Sequence, residues 1–224
     1  MSTLKIDGET FSQENLEDMQ SKFNDKNALG FAWRPGQKQY ALSLSNCEIN
    51  GSGVSEGLKL SFCRNVYVDN CTIFGGYEDC VDIVRGENIT FKNCKFISQN
   101  SKQHITAKGG VKNLSFINCT FVNSFSKFYD GACIDLGNWT DYDDVDRPMV
   151  RNVLIQDCRM DNVATPILYR RLYSETPKVK NSSGFKFNIP KIFVKMFWYG
   201  QRNGLLGPRR RFDPSWLEVY DFEK

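Results

Sequence analysis

Three short stretches, residues 55–60, 78–83 and 103–107, hold several acidic side chains and the chain's single histidine. Carboxylates that lie close together raise one another's pKa, so that one keeps a proton while its neighbour is ionised. Such pairs carry out the acid and base steps of chemistry at a glycosidic bond. Asp82 and His104 are therefore candidate catalytic residues, and the other carboxylates of these stretches are Glu56, Glu78 and Asp79.

These stretches belong to a longer repeat. Five units end in a cysteine, and these cysteines are spaced 24, 23, 25 and 39 residues apart. A period of this length indicates a solenoid, because each unit can bury its apolar face only against its neighbours. Apolar residues alternate with polar ones within each unit, which is the period of a strand. The sequence therefore predicts a mainly β protein, a single right-handed parallel β-helix of about five coils.

Equivalent positions of successive coils stack about 4.8 Å apart in such a fold. The residues before the cysteines should then form an internal column in which side-chain amides bond coil to coil, closed by Asp157. The members of this column are Asn46, Asn70, Asn93 and Asn118.

The same alternation orients the candidate site. If Val81 and Ile83 point into the coil, Asp82 points out, and the equivalent positions place His104, Thr106, Lys108 and Asp135 on the same outer face. Asp82 and Asp135 would lie two coils, or about 9.6 Å, apart, near the upper end of the roughly 6.5–9.5 Å range for inverting hydrolysis.

Three segments follow from this pattern. Residues 1–38 are expected to hold an N-terminal strand and a capping helix that begins at Ser12. Residues 39–175 form the β-helix, and residues 176–224 are a basic amphipathic extension that contains a helix over residues 189–197. Nine Lys and Arg residues and no acid lie between residues 178 and 211. This extension is expected to meet an anionic surface or an assembly partner.

The eight cysteines are expected to be reduced and buried, because five of them occupy one repeat position and would stack inside the coil. The sequence contains no run of about 18 apolar residues, so no membrane span is predicted. Residues 1–9 also lack the apolar region of a signal peptide. The expected location is the cytoplasm, or a particle made there.

The three stretches resemble motifs of the pectin lyase-like superfamily. Together they are similar to successive motifs of polygalacturonase-type glycoside hydrolases, which implies Glu56, Glu78 and Asp79 as the acid and base carboxylates and His104 as the motif histidine. Residues 78–83 also resemble the acidic calcium motif of pectate lyases. That resemblance implies Glu78 and Asp82 as calcium ligands.

The pectate lyase resemblance further implies Lys102 as a substrate-binding residue and Arg147 or Arg151 as the base. The full set of expected substrate-binding residues is Lys102, Thr106, Lys108, Asp135, Arg147 and Arg151. No resident metal is predicted, although calcium is compatible with the pectate lyase motif. The acidic run of residues 141–146 is interpreted as a solvated turn.

Two hypotheses of different classes remain. The first is an enzyme that cleaves an acidic polysaccharide, either a glycoside hydrolase or a polysaccharide lyase. The second is a non-catalytic β-helix that binds glycan or forms a structural or adhesive part of a larger assembly, such as a phage virion or tail. The short solenoid favours the second hypothesis.

Overall fold

The structure is a computed structural model that describes residues 3–11, 27–32, 41–98, 103–124, 132–138, 148–163, 165–170, 173–184 and 217–220. In chain order the first ten strands are β1 (Thr3–Asp7), β2 (Thr10–Phe11), β3 (Asn27–Ala32), β4 (Ala41–Ser45), β5 (Glu48–Asn50), β6 (Glu56–Ser61), β7 (Arg64–Asp69), β8 (Thr72–Phe74), β9 (Asp79–Val84) and β10 (Glu87–Lys92). The remaining strands are β11 (Lys95–Ile97), β12 (Gln103–Lys108), β13 (Lys112–Ile117), β14 (Thr120–Ser124), β15 (Ala132–Asn138), β16 (Arg151–Gln156), β17 (Arg159–Val163), β18 (Thr165–Arg170), β19 (Lys178–Lys180), β20 (Ser183–Gly184) and β21 (Leu217–Tyr220).

The described residues contain strands and no helix, and therefore no helix that is long and apolar enough to cross a membrane. Both predicted helices, over residues 12–23 and 189–197, lie outside the described residues. The two helices thus stay predictions.

The strands form three sheets of seven strands each. Sheet A has the order β1-β4-β7-β10-β13-β16-β19, sheet B the order β2-β5-β8-β11-β14-β17-β20, and sheet C the order β21-β18-β15-β12-β9-β6-β3. Every third strand is therefore a neighbour, and the pairing is parallel throughout except where β21 runs antiparallel to β18. This is the predicted parallel β-helix. Each cysteine-ended repeat supplies one coil, and strands continue the stack at both ends.

The interior is filled by apolar side chains that stack coil upon coil. The Phe91 and Phe116 rings stack with centroids 5.3 Å apart, and the Phe96 and Phe121 rings do so at 4.8 Å. All eight cysteines are buried and free, as predicted. Burial raises the pKa of the Cys63 thiol, which keeps this thiol protonated at neutral pH.

The predicted asparagine column exists, but it lies on the outside of the coil. Asn70 Nδ2 donates to Asn46 Oδ1 at 2.7 Å, and Asn118 Nδ2 donates to Asn93 Oδ1 at 2.8 Å. Asn93 itself donates to Asp69 Oδ1 at 2.8 Å and not to Asn70. All four asparagines are exposed, so the expected internal placement is wrong. Their φ angles of 52–56° explain the correction: each asparagine makes the left-handed corner that lets the following cysteine point inward.

A second exposed asparagine column runs along the corner between sheets C and A. Each member has a φ of 54–56°. The side-chain amides of Asn88, Asn113 and Asn152 each donate to the asparagine of the preceding coil at 2.7–3.0 Å. Its members are Asn65, Asn88, Asn113 and Asn152. These two columns mark the corners on either side of sheet A, and the neighbouring sheet C holds the candidate site.

Candidate functional site

Six polar side chains gather on the outer face of sheet C. We call them the sheet C cluster: Glu56, Lys59, Asp79, Asp82, Thr106 and Lys108. Strands β6, β9 and β12 lie side by side and place Glu56 beside Asp79 and Lys59 beside Asp82, with Thr106 beside Asp82 on the next coil. The predicted stacking of this row is confirmed, and it continues to Asp135 in β15.

The cluster is buried, which the sequence did not indicate. Glu56 is 2% exposed, Asp82 1% and Thr106 2%. The Lys108 side chain reaches furthest into solvent, at 20% exposure. An outward polar row of a solenoid is usually solvated; here the row is shielded, and its charges therefore interact more strongly than they would in water.

Ion pairs and one hydrogen bond hold the cluster together. Lys59 Nζ lies 3.4 Å from Glu56 Oε1 and also pairs with Asp82 Oδ2. Lys108 Nζ lies 3.1 Å from the same Asp82 oxygen. Thr106 Oγ1 donates to Asp79 Oδ1 at 2.9 Å. Two ammonium groups thus share one carboxylate oxygen of Asp82.

The pKa values of two cluster members are displaced. Burial, followed by the negative charge of Asp82, raises the pKa of Asp79 well above its ordinary value, while Lys108 and the Thr106 hydroxyl oppose the shift. Burial lowers the pKa of Lys108, but the charges of Asp82 and Asp79 outweigh it and leave this pKa raised. Asp79 is therefore disposed to hold a proton and Lys108 to stay charged.

The expected outward orientation of His104 is wrong. Its ring is 0% exposed and lies edge-on to core Phe121, with centroids 5.9 Å apart. Its Nε2 is 2.8 Å from the Val122 carbonyl oxygen, and burial lowers its pKa to about 4. The two-residue alternation of inward and outward side chains fails where these strands begin. In β6, for example, Glu56 and Lys59 are three residues apart and still meet on one face.

Of the other predicted site residues, Glu78 and Arg151 lie apart from the cluster, whereas Asp135 continues its row. Glu78 is exposed in the bend before β9. Arg151 begins β16 in sheet A, where its Nε is 4.0 Å from Glu175 Oε1. Asp135 is 0% exposed in the same row as Thr106. Lys102 and Arg147 lie outside the described residues, as does the acidic run at 141–146.

The cluster can hold a cation. Carboxylate oxygens of Glu56, Asp79 and Asp82 lie within 4.8 Å of one another, close to the separation that two oxygens have across a calcium ion with ligands at about 2.3–2.6 Å. Asp82 Oδ1 is buried and has no hydrogen-bond partner within the described part of the chain. Hard oxygen donors and this orphaned atom fit calcium. The expected ligand Glu78 is not in the set, whereas Glu56 and Asp79 are.

Lys59 is the cluster member that sequence reasoning missed. The signal was present, because Lys59 occupies the same repeat position as Asp82, Thr106 and Asp135. An alignment of strands would have placed an ammonium beside Asp82.

Comparisons with known proteins agree with the architecture. The family described as right-handed beta helix region matches residues 7–145, and the chain belongs to this family. No curated protein matches the sequence. Among solved structures, the A-module of a mannuronan C-5 epimerase from Azotobacter vinelandii is similar, with a TM-score of 0.58 and 11% identity.

That match covers 70% of this chain and 43% of the epimerase module. The chain therefore spans less than half of the length of this structural neighbour. At such low identity the likeness concerns the fold alone.

Proposed function

We propose that the protein binds an acidic polysaccharide at the sheet C cluster and cleaves it by elimination. The observation that carries this proposal is the arrangement of three carboxylates and two ammonium groups in one buried cluster on adjacent coils. Ionisable groups with displaced pKa values gather preferentially at sites of chemistry. The epimerase with a similar fold acts on mannuronan by name, which adds support for a sugar polymer as substrate.

Elimination from a uronate polymer needs three things. A base removes the proton from C5, the electron pair forms the C4–C5 double bond, and the glycosidic C4–O bond breaks as the leaving oxygen takes up a proton. The negative carboxylate next to C5 must be neutralised, because it otherwise opposes loss of the proton. The site therefore has to supply positive charge, a base and an acid.

The cluster offers candidates for these roles. Lys108 is the member whose side chain reaches solvent most, at 20% exposure, and its uncharged amine would be the base. Asp79 has a raised pKa and would give its proton to the leaving oxygen. A calcium ion held by Glu56 and Asp82 would neutralise uronate charge and would weaken the attraction that keeps Lys108 protonated. Thr106 holds Asp79 in place through the hydrogen bond to Oδ1.

Hydrolysis is less well supported by the same geometry. Inverting hydrolases keep their carboxyl groups roughly 6.5–9.5 Å apart to leave room for water, whereas the oxygens of Glu56, Asp79 and Asp82 lie within 4.8 Å. Retaining hydrolases place their carboxyl groups about 5–5.5 Å apart and use one of them as the nucleophile. Asp82 is a poor nucleophile, because both Lys59 and Lys108 contact its Oδ2.

The test is an incubation of purified protein with a panel of acidic and neutral polysaccharides, with and without calcium. Elimination predicts a product with the ultraviolet absorbance of an unsaturated uronate. New reducing ends without that absorbance would instead indicate hydrolysis and would overturn the proposal.

A second candidate is a non-catalytic role as a glycan-binding or structural β-helix. The burial of Asp79, at 4% exposure, and Asp82, at 1%, favours it, because a sugar has little access to these carboxylates. Binding to a polysaccharide, measured by calorimetry, with no product after long incubation would select this role. A place in a larger assembly such as a phage particle, and a partner for the basic extension, stay predictions.

A further inference from the structure

Lys59 occupies the part of the cluster where a cation would sit. Its ammonium contacts both Glu56 and Asp82, two of the three carboxylates that come within 4.8 Å of one another. Its side chain is 9% exposed, so the charge is shielded from water. Lys108 differs, because its ammonium pairs with Asp82 and its side chain is 20% exposed.

We propose that Lys59 is a built-in competitor for the cation site, and that a divalent cation binds Glu56 and Asp82 only when the Lys59 ammonium leaves the gap between them. This inference rests on the proposed cation-holding role of the cluster. The site would be pre-formed, because the internal ammonium charge offsets the mutual repulsion of its carboxylates.

The physical basis is charge balance in a poorly solvated place. An ammonium and a divalent cation within a few ångströms of one another repel strongly where water is scarce. Removing an opposing unit charge from such a site should therefore strengthen cation binding.

The first experiment measures calcium binding by isothermal titration calorimetry for wild type and Lys59→Met, which keeps the length of the side chain and removes its charge. We expect the dissociation constant to fall by about tenfold or more. Lys108→Met should give a smaller change, since Lys108 contacts one carboxylate. Lys112→Met, on the exposed face of sheet A, is the matched control and should bind calcium as wild type does.

Equal affinities for wild type and Lys59→Met would overturn the inference. If Lys59→Met does not fold, Lys59→Gln serves as the second neutral variant. A crystal structure of wild type soaked in calcium gives an independent answer: Lys59 Nζ should have left Asp82. An ion seated among the carboxylates with both Lys59 contacts retained, or no ion at saturating calcium, would contradict the inference.

These outcomes are separable from those of the proposed reaction. Suppose that Lys59→Met binds calcium more tightly than wild type, but that wild type eliminates no polysaccharide. This result would contradict the enzymatic proposal and support the proposed role of Lys59. Calcium-dependent elimination by wild type together with unchanged affinity in Lys59→Met would do the reverse.

Discussion

Thr106 Oγ1 donates a 2.9 Å hydrogen bond to Asp79 Oδ1 from the neighbouring strand of sheet C. Both residues are buried, so neither oxygen can easily exchange its partner for water. Thr106→Val keeps the shape and removes the donor. We expect a loss of about 1–3 kcal/mol of unfolding free energy, measured by denaturant titration. Thr90→Val, on the half-buried outer face of sheet A, is the control and should change stability by less than about 0.5 kcal/mol.

The second prediction concerns Asp82, whose Oδ2 faces two ammonium groups. Asp82→Asn would leave Lys59 and Lys108 without this charge in a shielded place, so the expected cost is about 3–5 kcal/mol. Asp161 offers a matched change on the surface, because it pairs with the exposed Arg159 at 2.7 Å. Asp161→Asn should cost about 0–1 kcal/mol. Equal unfolding free energies for the two variants would show that the cluster is not shielded as described.

The third prediction is a pH dependence carried by the single histidine. The folded pKa of His104 is lowered to about 4 from 6.5. Between these two pH values the unfolded chain binds a proton at His104 and the folded protein does not. The contribution of this residue to stability is therefore lost as the pH falls from about 6.5 to 4, and it is constant above about pH 6.5. The total is about 3 kcal/mol. The imidazole signals in an NMR titration of the native protein should stay constant down to about pH 5. A native midpoint near 6.5 would place the ring in solvent.

The fourth prediction separates backbone conformation from hydrogen bonding in the asparagine column of the C–A corner. Asn88 has a φ of 55° and donates to Asn65 Oδ1 at 3.0 Å. Asn88→Ala loses the bonds and meets the left-handed penalty of about 1–2 kcal/mol, whereas Asn88→Gly loses the bonds alone. Thermal unfolding should therefore rank the stabilities as wild type, then Asn88→Gly, then Asn88→Ala. An alanine variant as stable as the glycine variant would show that conformation does not matter at this corner.

The solenoid was predictable because the signal is periodic. Cysteines that return every 23–25 residues, and alternating pairs such as Val66 and Val68, leave few folds that bury every repeat. The same period predicted that Asp82, Thr106 and Asp135 stack on adjacent coils, and this prediction is confirmed. Local strand geometry and coil spacing are properties that a repeat carries in its sequence.

Other features depended on geometry that the sequence does not encode plainly. His104 lies inside because the alternation breaks where β12 begins, and no residue type marks that break. The column of Asn46 and Asn70 faces solvent because its corners are left-handed, while the strand pattern alone suggested an inner column. Burial of the sheet C cluster arises from tertiary packing, which local patterns do not reveal.

The central claim is tested most directly by the products that wild type, Asp79→Asn and Asp161→Asn release from an acidic polysaccharide in the presence of calcium, identified by mass spectrometry. Elimination at the cluster predicts unsaturated oligosaccharides from wild type and from Asp161→Asn. Asp79→Asn lacks the proton donor, so its rate should fall by about a hundredfold or more. Unsaturated product formed at the wild-type rate by Asp79→Asn would contradict this assignment of the site, and saturated products from all three proteins would contradict elimination itself.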